Sequence, residues 1–307
     1  MPFVSVVIPA YRSTATLSVL VERLESVLNR LDKEYEIIII DDCSPDDTWD
    51  VLKEIKLLRP RVKIIRLLKN SGQHNAILCG FSLSKGDVVI TMDDDLQNPP
   101  EEIPKLLSMI EKGYDLAIGA YDSKKHSSLR NAGGQMIDQL QRWMFKLPKD
   151  FQLTSFRAVR KLVIDHVVSM GGVYPYITAM LLSHTSRYIN VPVRHDPRAF
   201  GQSNYNAGKA LRLAFNLLFN YSSYPLYFVA LLCIAALSLS FVFSLSIAWK
   251  VMLSGSTVPG WASTITTISF FHGLNLLGMV IQGLYLSRLT QQVTRSRVGF
   301  SIGEIHE

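Results

Sequence analysis

The sequence predicts an α/β chain: a mostly parallel sheet flanked by helices on both sides, followed by interfacial helices and a two-helix transmembrane hairpin. Three observations carry that expectation. Short runs apolar on both faces alternate with helix-period segments through the first 120 residues, the pattern of a parallel sheet buried between helix layers. Carboxylates gather where two of those runs end, at Asp41-Asp42 and at Asp93-Asp94-Asp95. From Tyr224 to Trp249 no charged residue occurs, a run longer than the roughly 20 residues a helix needs to cross a bilayer.

Taken in order, strands are expected over Val4–Ile8, Glu36–Ile40, Val62–Leu67, Asp87–Met92 and Asp115–Ile118. Between and after them, 3.6-residue periodicity predicts helices over Ala15–Leu31, Thr48–Leu58, Asn75–Leu83 and Ile103–Lys112. Ser44, Pro45 and Asp47 supply good start signals for the second helix. In open sheets of this type, ligands bind beyond the carboxyl ends of the strands near a reversal of strand order, so chemistry is sought in those loops. None of them holds a GxGxxG or a P-loop, which excludes a dinucleotide enzyme and a P-loop NTPase.

Composition narrows the class further. The 307 residues are 48% hydrophobic and 19% charged, with a net charge of +6. That balance excludes a disordered tail, and the mild basic excess suits a membrane surface or a phosphate-bearing substrate, with no nucleic acid expected. Cys43, Cys79 and Cys233 are widely spaced, forming neither a disulfide framework nor a zinc site, so a reducing compartment is expected.

Thr264–Leu286 reads as the second span, with His272, Asn275 and Gln282 inside it. Those polar side chains should face a protein neighbour, such as a second copy of this chain, and not lipid. Lys209 and Arg212 precede the first span, Arg288, Arg295 and Arg297 follow the second, and the connection offers only Lys250. The positive-inside tendency then places both termini in the cytoplasm. Segments Leu129–Leu147 and Ala207–Tyr221 read as amphipathic helices lying in the membrane interface.

In an extended backbone Asp93 and Asp95 point to one side and Asp94 to the other. Two carboxylates with the Gln97 amide oxygen nearby make a hard oxygen set suited to Mg²⁺ or Mn²⁺ shared with substrate phosphates. A carboxylate at Asp41 or Asp42 could accept hydrogen bonds from a base imide or a ribose hydroxyl. His74 reads as a surface histidine at a helix start. Planar guanidinium suits phosphate oxygens, which makes Arg130 and Arg198 candidates for an acceptor phosphate or a leaving diphosphate.

These pieces together resemble the family 2 glycosyltransferases of the GT-A fold. The resemblance rests on Val-Ile-Pro-Ala-Tyr (7–11), on Asp41-Asp42-x-Ser44-x-Asp46-x-Thr48, on Asn70-x-Gly72-x3-Ala76 and on Met-Asp-Asp-Asp-Leu-Gln-Asn-Pro-Pro-Glu (92–101). The last block is most similar to the dolichyl- and undecaprenyl-phosphate branch. Arg12-Ser13 departs from the Asn-Glu that many relatives carry. Downstream, Asp150-Phe151-Gln152-Leu153 and Ser155-Phe156-Arg157-Ala158 resemble the acceptor-side segment, without its glycine. Arg198-x-x-Gly201-x-Ser203-Asn204-Tyr205 resembles the stretch before the membrane hairpin, with asparagine in place of lysine.

The resemblance implies a UDP-sugar donor bound by Pro9, Tyr11, Asp41, Asp42, Asp93 and Asp94, and a metal on Asp93, Asp95 and Gln97. It implies an acceptor side at Arg130, Arg157, Arg198 and Ser203, with Asp93, Asp95 and Asp150 as the catalytic carboxylates. The implied reaction is a single inverting displacement onto undecaprenyl phosphate at the inner membrane. A lipid phosphate whose second pKa is about 6 is largely dianionic near neutrality, so it needs no dedicated base. The expected organisation is a donor- and metal-binding core over 1–125, an acceptor-side segment over 126–222, the hairpin over 223–287 and a cytoplasmic tail over 288–307. Gln139-x-x-Arg142-Trp143 mimics the QxxRW of processive synthases, but their acidic triplet and additional spans are absent. A processive synthase, a transferase to another lipid and a non-catalytic binding scaffold are the rival readings.

Overall fold

The computed structural model describes residues 3–31, 33–121, 139, 141–148, 150–172, 175–197, 224–254, 260–294 and 298–307. The chain divides into two compact units, one built from Met1–Ala214 with Arg295–Glu307 and one from Phe215–Thr294.

In the first unit β1 (Val4–Ala10), β2 (Tyr35–Asp41) and β3 (Val62–Leu67) pair in parallel, as do β1 and β4 (Val88–Thr91). Every residue of β1, β2 and β4 is buried, which is why those runs are apolar on both faces. The helices are α1 (Leu17–Arg30), α2 (Thr48–Leu58), α3 (Gln73–Leu83) and α4 (Ile103–Glu111). Leu17, Leu20, Val21, Leu24 and Leu28 form the buried stripe of α1, the i, i+3, i+4 spacing of a helix lying on a sheet. The five strands and four helices expected over the first 120 residues all occur, with ends shifted by up to three residues. The start signal of α2 is one such shift. Asp46, not Ser44, bonds the Thr48 backbone, while the Ser44 hydroxyl accepts from Arg12 N.

The sheet continues beyond the expected strands. After β5 (Leu116–Tyr121) come β6 (Arg157–Arg160), α5 (Lys161–Met170), α6 (Ile177–His184) and β7 (Tyr188–Val193). The eight strands run β7-β5-β6-β4-β1-β2-β3-β8. Strand β6 inserts antiparallel between β4 and β5. The last strand, β8 (Ile302–His306), pairs antiparallel with β3, so part of the expected C-terminal tail is the edge of the sheet. A five-residue run whose partner lies over 200 positions earlier leaves no local periodicity to read. Strand order reverses between β4 and β1, and their carboxyl ends stand side by side.

Helix α3 is buried from Asn75 to Phe81. It lies so close to the sheet that a Cβ on Gly80 would meet Val7 Cγ1 at 2.3 Å and Ile40 Cδ1 at 2.8 Å. Gly80→Ala should therefore lower stability by about 1–3 kcal/mol despite alanine's better helix propensity. Thermal unfolding checks it, and an unchanged or raised midpoint would refute the close packing.

The second unit holds α7 (Tyr224–Ser254) and α8 (Trp261–Thr294), of 31 and 34 residues. Both exceed the expected 224–249 and 264–286 at their ends. Among the described residues no helix is long and apolar enough to cross a membrane, so the hairpin is not carried by that criterion. His272 and Asn275 are exposed and line a cavity of about 460 Å³ with Cys233 and Ala236 of α7. Gln282 is exposed. Of the segment 129–147, Gln141 and Leu147 are buried and Trp143 is exposed. The segment 207–221 lies outside the described residues.

Candidate active site

The reversal point brings four segments together around a cavity of about 400 Å³. Pro9, Ala10 and Tyr11 line it from the exit of β1, Asp42 from β2, Asn70, Gly72 and Gln73 from the start of α3, and Asp93, Asp94 and Asp95 from β4. Four carboxylates share this space. The expectation that Asp94 turns away from Asp93 and Asp95 is corrected. Strand β4 ends at Thr91, and the run beyond it is a tight turn with Leu96 in the left-handed region at φ 62°. Alternation no longer applies there, and all three residues line the cavity.

Each acid is held differently. Asp42 accepts from Ser71 N at 2.7 Å and from Gly72 N at 2.8 Å. That cradle shapes the 70–72 loop, where Gly72 sits at φ 87°, a conformation that favours glycine. Asp94 accepts from the Ser13 hydroxyl and from Tyr11 N, tying it to the β1 exit. Arg12 lies over the Tyr11 ring, 5.4 Å from its centroid. Asp93 accepts from Gln73 Nε2 at 2.6 Å and from the Ser155 hydroxyl. Asp95 Oδ1 accepts from Gln97 N at 3.2 Å.

Burial pushes the carboxyl of Asp93 above its ordinary range, and the neighbouring Asp95 adds to the rise. Asp94 is pushed up to about 6, first by burial and then by Asp93 and Asp95, against the bonds from Ser13 and Tyr11. Burial likewise raises Asp42. Crowded carboxylates that raise one another in this way form a site a cation would relieve.

Several expected site residues sit elsewhere. Asp41 is fully buried, accepts from Ser44 N at 3.0 Å and faces Arg66 at 3.4 Å. It closes the turn after β2 and does not line the cavity, because the strand directs consecutive side chains to opposite sides. Arg157 is also corrected. It lies in β6, 2% exposed, donating to Thr91 Oγ1 and Thr178 Oγ1 at 3.1 Å each, where a lipid phosphate does not reach it. Burial lowers its pKa to about 10, and Asp93 acts in the opposite direction. Asp150 is exposed on the turn closed by Phe151 N and Pro148 O, away from the cavity lining. Arg130, Arg198 and Ser203 lie outside the described residues.

Other residues of the site were not singled out in the sequence. Ser13, Gln73 and Ser155 hold the acids, although Ser155 belongs to a segment already noted. His74 is half-buried, packs edge-on against Tyr176 at 5.0 Å, and is lowered to about 4 by burial and then by Arg157. It is not a surface histidine. Tyr121 and His195 lie beside Gln97 and Asn98. Lone residues of these types carry no spacing signal.

Among the described residues, no group of three or more His, Cys, Asp or Glu side chains is arranged to hold a metal by itself. Asp93 and Asp95 line the cavity together, and Gln97 follows them on the same turn with its backbone N bonded to Asp95.

A mostly parallel sheet with an acidic turn beside a cavity at its reversal point is a GT-A-like fold. Residues 5–168 match the family model described as Glycosyl transferase family 2; the chain belongs to that family and is a glycosyltransferase. Among its relatives is the undecaprenyl-phosphate 4-deoxy-4-formamido-L-arabinose transferase of Edwardsiella ictaluri (strain 93-146), 33% identical over 311 residues, covering 99% of this chain and 94% of the relative. A transferase of the same name from Klebsiella pneumoniae (strain 342) is 32% identical and covers 98% and 93%. Among solved structures, glucosyl-3-phosphoglycerate synthase from Mycobacterium tuberculosis shares the fold, with a TM-score of 0.52 at 18% identity over 72% of this chain and 80% of that chain.

Proposed function

We propose that this enzyme transfers one sugar from a UDP-sugar to undecaprenyl phosphate with inversion, serving modification of the cell envelope. The observation that carries the acceptor is the match to undecaprenyl-phosphate transferases over 99% of the chain, the α7–α8 pair included. The donor reading rests on the cavity: Tyr11 and Asp42 line it beside the loop that Asp42 shapes, and in this reading they take the nucleotide. Asp93, Asp95 and Gln97 would hold Mg²⁺ or Mn²⁺, which when bound supplies charge stabilisation for the departing diphosphate. The chain's own part is to present those oxygens in a preorganised array, since Asp93 is fixed by Gln73 and Ser155 before substrate arrives. Arg130, Arg198 and Ser203 take the acceptor phosphate in this reading.

Helices α7 and α8 cross the cytoplasmic membrane in the same reading. Tyr224–Trp249 contains no charged residue, and Leu226, Phe228, Leu231, Ile234 and Leu239 are large exposed apolar side chains on α7. At 1.5 Å per residue each helix exceeds the ~30 Å hydrocarbon thickness. Two crossings return the chain to the face it left in this reading. The basic flanks make that face cytoplasmic.

The test is product analysis by mass spectrometry. Purified protein is supplied with undecaprenyl phosphate, Mn²⁺ and a panel of UDP-sugars that includes the 4-deoxy-4-formamido-L-arabinose donor. One lipid product carrying a single sugar is expected. A polymeric product, or no product from any donor, would overturn the reading.

A further inference from the structure

The exit of β7 is fastened onto the turn that carries the acids. Asp196 N donates to Gln97 O at 2.9 Å, and Arg194 Nε donates to Glu102 Oε1 at 3.0 Å. Between these bonds the His195 ring stacks on Tyr121, with centroids 4.1 Å apart and planes 26° from parallel. Tyr121 is itself fixed. Its hydroxyl donates to Asn98 Oδ1 at 2.6 Å, and Gln152 bonds its backbone N and O at 2.8 and 2.9 Å. On its other side His195 Nε2 meets Gln97 Nε2 at 3.4 Å, and that same amide nitrogen reaches Asp196 O at 3.4 Å.

The chemistry of the amide makes this arrangement directional. Gln97 Nε2 faces the Asp196 carbonyl and only donates, which makes His195 Nε2 the acceptor in the neighbouring contact. With its NH₂ held by His195 and Asp196, Gln97 keeps its carbonyl oxygen, the atom able to ligate a cation, outside these contacts. The geometry points to His195, backed by Tyr121, as a positioning residue that orients the Gln97 amide for the cation site. This rests on the reading above that Asp93, Asp95 and Gln97 hold a divalent cation. Outer partners of this kind commonly change metal affinity about 10- to 100-fold when removed.

The experiment is calorimetric titration of UDP into the purified full-length protein across a Mn²⁺ series. His195→Phe keeps a ring against Tyr121 but removes the acceptor, whereas His195→Asn retains an oxygen that can accept. His195→Phe should raise the Mn²⁺ concentration for half-maximal UDP binding about tenfold, with the unfolding midpoint and metal-free UDP binding unchanged, and His195→Asn should recover part of the loss. In a Gln97→Ala background the His195→Phe effect should vanish, because the two residues act as one unit. If the effect persists there in full, His195 contacts the cation directly and the positioning role is overturned. If His195→Phe matches the parent while Asp95→Ala loses Mn²⁺ dependence, the positioning role fails and the cation site stands. UDP binding indifferent to Mn²⁺ in the parent would remove the cation site, and the inference with it.

Discussion

Replacing Asp95 with alanine is expected to lower sugar transfer by about a hundred- to a thousandfold, the usual cost of losing one preorganised charge-stabilising element. The same substitution should leave the metal-free protein as stable as before, or more stable. Asp93, Asp94 and Asp95 line one cavity, and repulsion from Asp95 contributes to the raised carboxyl pKa values of Asp93 and Asp94. Removing one charge relieves that repulsion. In the parent, Mn²⁺ with UDP should raise the unfolding midpoint by mass action, and in Asp95→Ala that rise should be lost. Transfer assays and thermal unfolding with and without Mn²⁺ read both effects. An active variant, or one that retains the Mn²⁺-dependent rise, would remove Asp95 from the cation site.

Arg157→Met should act on the opposite balance. The guanidinium is buried between Thr91 and Thr178, and it is a cation acting on the half-buried Asp93. Methionine fills much of the volume but leaves two hydroxyls without their donor and Asp93 without a buried counter-charge. Loss of one buried partner costs about 3 kcal/mol or more, which for a unit of this size lowers the midpoint by roughly 6–12 °C. Arg157→Lys keeps the charge but not the two-pronged contact, and should fall between. The resemblance of Ser155-Phe156-Arg157 to an acceptor segment suggests a different outcome: a raised KM for the lipid phosphate with an unchanged midpoint. Unfolding and lipid-phosphate kinetics on the same two variants separate the alternatives.

Much of the site was legible in the order of residues. The turn 93–95, the loop at Asn70–Gly72 and the Pro9–Tyr11 exit all line the cavity as their positions after strands imply. What could not be read was the direction of individual side chains. Asp41 and Asp42 are chemically alike neighbours, yet one closes a turn in the core and the other cradles the loop at Ser71 and Gly72. Asp94 faces the cavity because the chain turns after Thr91, and a turn has no period from which to infer sides.

The sequence by itself determined the doubly covered sheet, the strand ends at which the acids collect, and the two long helical segments near the C-terminus. Each follows from local periodicity, which depends only on residues within a few turns of one another. The tertiary structure alone decided that Arg157 is an interior cation, that β8 completes the sheet at β3, and that His195 stacks on Tyr121 beside Gln97. Those outcomes join residues from about 20 to 240 positions apart. Contacts of that kind are fixed by packing and by the pairing of buried polar groups, and neither leaves a trace in the local pattern.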